Sequence, residues 1–130
     1  IIYTNEKETM MTNDININSY SAAFIRSIVA KAQEAAFKAA DTYHKEVNGG
    51  EDRFPCGFAW VYLDGIKGNT KAGRALKAAG VLQDYSRKFQ IWNPSKYGCQ
   101  NVDTLYAGAA AAAGVWQEHG FNAYAGQRLD

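Results

Sequence analysis

No run of apolar residues in this chain approaches the roughly 20 that a membrane-spanning helix needs. The alanine run Ala109–Ala113 is too short and too weakly hydrophobic, so no membrane anchor is expected. An excess of charge is missing as well. A formal net charge of +1 argues against a dedicated nucleic-acid coat and against a polybasic membrane binder. Cysteine is scarce: Cys56 and Cys99 are the two present, and they would pair only in an oxidising compartment, of which the sequence gives no sign. No charged segment precedes an apolar one near the start, as a secretory signal requires. The expectation is a cytoplasmic protein. Branched aliphatics are sparse too. Alanine dominates the apolar share, so six Phe, eight Tyr and three Trp must supply much of the core volume. Small residues let helices approach a sheet closely, and aromatic rings fill the space that remains.

What is present suffices for one domain. A chain of 130 residues, 47% hydrophobic and 21% charged, can bury a core without metal or disulfide support. Ile1 is not a natural initiator, and Met10 or Met11 would supply a start. Residues 1–18 are polar and read as a flexible arm or non-native extension, with a single domain over 19–130.

From Ser19 the pattern is helical. Ile25, Ile28, Ala32, Ala36, Ala39, Tyr43 and Val47 recur at spacings of three and four, Asn18, Ser19 or Ser21 is the candidate cap, and Asn48-Gly49-Gly50 ends the run. Such a helix is about 40 Å long, against about 36 Å for a compact domain of this size. Helix 21–47 therefore spans or overhangs the domain, which makes self-association through it one reading. Phe54–Gly73 then reads as a strand, a glycine-bearing loop and a helix start. A short helix follows from Thr70 to Ala79, and two short strands lie within 81–92. Asn93-Pro94-Ser95 turns the chain, a second long helix runs from Val102 or Asp103 to His119, and Phe121–Ala125 forms a last strand before a polar end. The fold class is α+β or α/β: a single three- to four-stranded sheet with two long helices and one short helix packed on it, in the order α-β-α-β-β-α-β.

Several residue groups are candidates for chemistry. The start of the short helix offers free backbone N–H groups with Lys67, Asn69, Thr70, Lys71 and Arg74 close by, a pattern suited to an anion. It is not a Walker A loop, because Thr70 precedes Lys71 and the glycine spacing differs. Phe58, Trp60 and Tyr62 share one strand face. They would form a base-stacking platform if a basic groove lay beside them, with Lys88 or Arg87 to supply it. The plainer expectation is that helix 21–47 covers them as core. Cys56 is a weak candidate nucleophile with His44 or His119 as its base; the spacing of these groups is not that of a metal site. His119 also suits the C-terminal dipole of its helix. Tyr97 and Arg128 sit in polar-aromatic loops of the kind that carry binding. Neither metal nor cofactor is expected.

Four segments carry a resemblance: Pro55-Cys56-Gly57-Phe58-Ala59-Trp60-Val61, Gly68-Asn69-Thr70-Lys71, Ile91-Trp92-Asn93-Pro94-Ser95 and Ala123-Tyr124-Ala125-Gly126-Gln127-Arg128-Leu129-Asp130. Over roughly residues 20–130 the chain resembles a group of small uncharacterised proteins encoded by tailed phages. The resemblance brings no catalytic residue with it. It implies a viral protein in the host cytoplasm, where small accessory proteins bind a host factor, nucleic acid or nucleotide. The sequence thus favours binding over catalysis, at a surface joining the 64–74 and 93–101 loops and the C-terminal segment. The partner would be an anionic ligand or a host protein.

Overall fold

Alternating small-or-aliphatic and aromatic residues dictate the strand on which the fold is built. In the computed structural model, which describes residues 15–130, this strand is β1, Gly57–Asp64. A 3-10 turn at Ile17–Ser19 leads into α1, Ala22–Glu46, whose cap Ser21 accepts a hydrogen bond from the Phe24 N–H at 3.1 Å. After β1 come α2 (Lys71–Ala78), β2 (Leu82–Gln83), β3 (Phe89–Trp92), α3 (Val102–Glu118) and β4 (Asn122–Leu129). The predicted element order holds throughout. The strands form one antiparallel sheet in the order β2-β3-β1-β4, the split β-α-β arrangement with α1 added in front. No helix among the described residues is long and apolar enough to cross a membrane.

The layers follow from residue size. α3 lies across β1 and β4, and α1 packs on α3. Being rich in Ala and Gly, α3 is buried on both sides, through Leu105, Ala109, Ala112, Ala113 and Trp116. The helix–helix approach is close at Gly108, where a Cβ would lie 3.0 Å from the Ala36 carbonyl oxygen and 2.8 Å from the Ser95 Cβ. α1 contributes Ile25, Ile28, Ala32, Ala36 and Ala40, all buried. The core is completed by Leu76, Phe89 and Phe121.

Three expectations need correction. Gly57, Ala59, Val61 and Leu63 face α3 and are buried, while Phe58, Trp60 and Tyr62 lie half-exposed on the other side. The aromatic residues are therefore not core. α3 approaches closely because its own residues are small, and the smaller face of β1 is the one that admits it. The last strand runs to Leu129 rather than stopping at Ala125, because β1 pairs with it along its whole length, from Gly57↔Leu129 to Asp64↔Asn122. The proposed arm over 1–18 lies outside the described residues as far as 14. Residues 15–18 belong to the domain: Asn18 Oδ1 accepts from the Ala72 N–H at 2.8 Å, and Ile15 and Ile17 lie against Gly120.

Candidate functional site on the open sheet face

Strand pairing gathers the outward side chains of three strands into one surface. β1 supplies Phe58, Trp60 and Tyr62. β3 places Trp92 opposite Trp60, and β4 places Arg128 opposite Phe58, Gly126 opposite Trp60 and Tyr124 opposite Tyr62. The Trp60 and Trp92 rings stack with centroids 5.4 Å apart and planes 5° from parallel. Phe58 lies 5.5 Å from Trp92, and Tyr62 lies 5.5 Å from Tyr124. Among the described residues no helix covers these rings. Trp92 stays 49% exposed and Tyr124 39% exposed, where a sheet face of this composition would ordinarily be buried.

Two cations sit among the rings. The Lys88 ammonium lies 4.8 Å from the Tyr62 centroid and 5.6 Å from that of Tyr124, and it donates to the Tyr124 hydroxyl at 2.9 Å. That hydrogen bond raises the Lys88 pKa above its ordinary value, so the charge is held across the physiological range. Asp64 approaches the same ammonium at 3.8 Å, in an exposed pair. The Arg128 guanidinium lies 5.2 Å from the Phe58 ring. Both cations are within the distance at which a ring face attracts positive charge. Burial, followed by the nearby Asp84, pushes the Tyr62 phenol upward. The indole N–H of Trp60 is buried without a hydrogen-bond partner.

The residues predicted from sequence do not form one site. Lys67, Asn69, Thr70, Lys71 and Arg74 follow the C-terminal end of β1, whereas the 93–101 loop and the chain end adjoin its N-terminal end. Gly57 and Asp64 are seven steps apart, about 23 Å along an extended strand. Two of the amides at the start of α2 are already occupied. Thr70 Oγ1 accepts from the Gly73 N–H at 3.0 Å, Asn18 takes that of Ala72, and Arg74 is turned to the Asn69 carbonyl at 2.7 Å. Lys67 and Lys71 are exposed. Tyr97 lies on the helical side, where it donates to Asp41 Oδ1 at 2.7 Å beside Phe37 and His44. Of the residues predicted for the anion-binding surface, Arg128 alone belongs to the open face.

The cysteine chemistry gains no geometric support. Cys56 and Cys99 are both free and half-buried. Burial raises the Cys99 thiol above its ordinary value, which disfavours the thiolate. Among the described residues no hydrogen bond joins Cys56 to a histidine: His119 ends α3 with Nδ1 2.9 Å from the Val115 carbonyl oxygen, and the Nδ1 of His44 has no partner. No group of three or more His, Cys, Asp or Glu among the described residues is placed to hold a metal ion. Sequence reasoning named Trp60, Tyr62 and Lys88 but missed Trp92 and Tyr124 as their companions. The missing signal was the alternation Tyr124–Gly126–Arg128, hidden once the last strand was ended too early. No family model matches the chain, and neither a curated protein nor a solved structure matches it.

Proposed function

We propose that the open sheet face binds single-stranded nucleic acid, with bases stacking on its rings. The observation that carries this reading is the uncovered cluster of Phe58, Trp60, Tyr62, Trp92 and Tyr124 with Lys88 and Arg128 set among the rings. Every base has a π-face, so a row of aromatic side chains beside cations takes up a single strand with little sequence preference. Four-stranded sheets are among the surfaces on which proteins stack bases in this way. A stacked duplex offers no free base faces to such a surface. An accessory role on nucleic acid would also suit the resemblance to small phage proteins. The cysteine-nucleophile reading has no comparable support.

The test is fluorescence anisotropy with labelled single-stranded DNA and RNA, and with duplex as the control. Trp92→Ala removes the most exposed stacking ring. Stacking contributes about 1–3 kcal/mol per base, so affinity should fall about 5- to 150-fold. Wild-type protein that ignores single strands at low salt would sink the proposal. A dimer in light scattering that is lost in Trp92→Ala would instead make this face a contact between copies of the chain.

A further inference from the structure

Beside the aromatic face lies a cleft of about 700 Å³, formed where the loop after β1, helix α2 and the β2–β3 hairpin meet. Its basic lining is Lys67, Lys77 and Arg87, with Asn69 and Gln83 between them. Among the described residues the ion pairs are Lys45–Asp41 and Lys88–Asp64, so these three cations are unpaired. The acid that lines the cleft is Asp84. Its Oδ1 is committed to the hairpin, accepting from the Ser86 N–H at 2.9 Å, the Ser86 hydroxyl at 2.6 Å and the Lys88 N–H at 2.9 Å. The cleft is therefore a place of net positive charge, and the Gln83 side-chain amide, which donates to the Arg87 carbonyl at 2.9 Å, fixes one wall of it.

Two details connect it to the sheet face. Arg87 lines the cleft, and the next residue, Lys88, lies over Tyr62 and Tyr124, so one short segment bridges the two surfaces. Arg87 also holds φ at +70°, a left-handed conformation in which glycine is the unstrained choice. A bulky cation kept at such a position is a local cost of the kind found at binding sites.

We infer that the single strand leaves the aromatic face at the β2–β3 hairpin and seats its phosphates in this cleft against Lys67, Lys77 and Arg87. The inference rests on the single-strand reading above and adds where the backbone runs. Bases stack on neutral rings and respond weakly to salt, whereas each neutralised phosphate of a single strand contributes about 0.7 to the slope of log K against log salt.

The experiment measures that slope with an oligothymidylate of about ten nucleotides, and separately measures binding of inorganic tripolyphosphate. The triple variant K67Q/K77Q/R87Q should flatten the slope by about 2 and lose tripolyphosphate. W92A should weaken the oligonucleotide with its slope unchanged and keep tripolyphosphate. Arg87→Gly guards against a folding artefact, since it relieves the backbone: its melting temperature should not fall while its salt slope does. An oligonucleotide that binds the triple variant with the wild-type slope overturns the inference alone. Wild-type protein that takes tripolyphosphate but ignores the oligonucleotide overturns the single-strand reading, and this inference with it.

Discussion

At Gly126 a hydrogen in place of a side chain lets the Trp60 indole lie across β4, because a Cβ there would sit 2.5 Å from its Nε1. Trp60 has little freedom to yield, since Trp92 stacks on it at 5.4 Å and Tyr62 stands 6.0 Å away. In an unconstrained strand, replacing glycine by alanine would gain about 0.5–1 kcal/mol through the backbone. Here the overpacking costs about 1–3 kcal/mol, and the clash outweighs the gain. Gly126→Ala should therefore lower the melting temperature and change the near-ultraviolet circular dichroism of the paired indoles. A variant with wild-type stability and an unchanged aromatic spectrum would show that Trp60 does not depend on the glycine.

Between elements, Tyr97 ties the 93–101 loop to α1. Its hydroxyl donates to Asp41, which holds the Tyr97 pKa up to about 12 and the Asp41 carboxyl below its ordinary value. The unfolded phenol ionises near 10, so the stabilisation from a raised pKa is complete below that pH and lost as pH climbs through about 12. Tyr97→Phe removes it and leaves the ring contacts with Phe37 and His44 at 5.2 and 5.4 Å. The gap in melting temperature between wild type and Tyr97→Phe should stay constant through neutral pH and close between pH 10 and about 12. It should close again in acid, as pH falls through the depressed Asp41 value. A gap indifferent to pH would remove the pairing from the account. This tie was not legible in the sequence, where 56 positions separate the two residues. The helices were legible, because a spacing of three and four with Asn, Ser or Thr residues at the front is a local signal. So was the alternation of β1. Its inward side was not, because both faces are apolar, and the choice was made by a helix more than 40 positions further on.

For the molecule as a whole, the two faces of one sheet differ in what covers them. The side toward α3 holds Ala59, Val61 and Leu63, each at most 1% exposed, and the fold depends on it. The other side holds rings that no described element covers, and the binding proposal depends on that. The candidate site was only half legible for the same reason. Phe58, Trp60 and Tyr62 could be read off one strand, but their openness is a property of how the layers stack. Substitutions should then separate by face. Leu63→Ala opens a cavity under α3 and costs about 2–5 kcal/mol, which at about 4 °C per kcal/mol lowers the melting temperature by about 8–20 °C. The fraction that stays folded keeps its affinity for a single strand. Trp92→Ala removes an exposed stack that contributes about 0.5–1.5 kcal/mol, so its melting temperature falls by a few degrees while its affinity for a single strand drops about 5- to 150-fold. Thermal unfolding and anisotropy on the same two variants check both halves together. If Trp92→Ala unfolds the domain as readily as Leu63→Ala does, the rings are structural and the open face is not a separate binding surface.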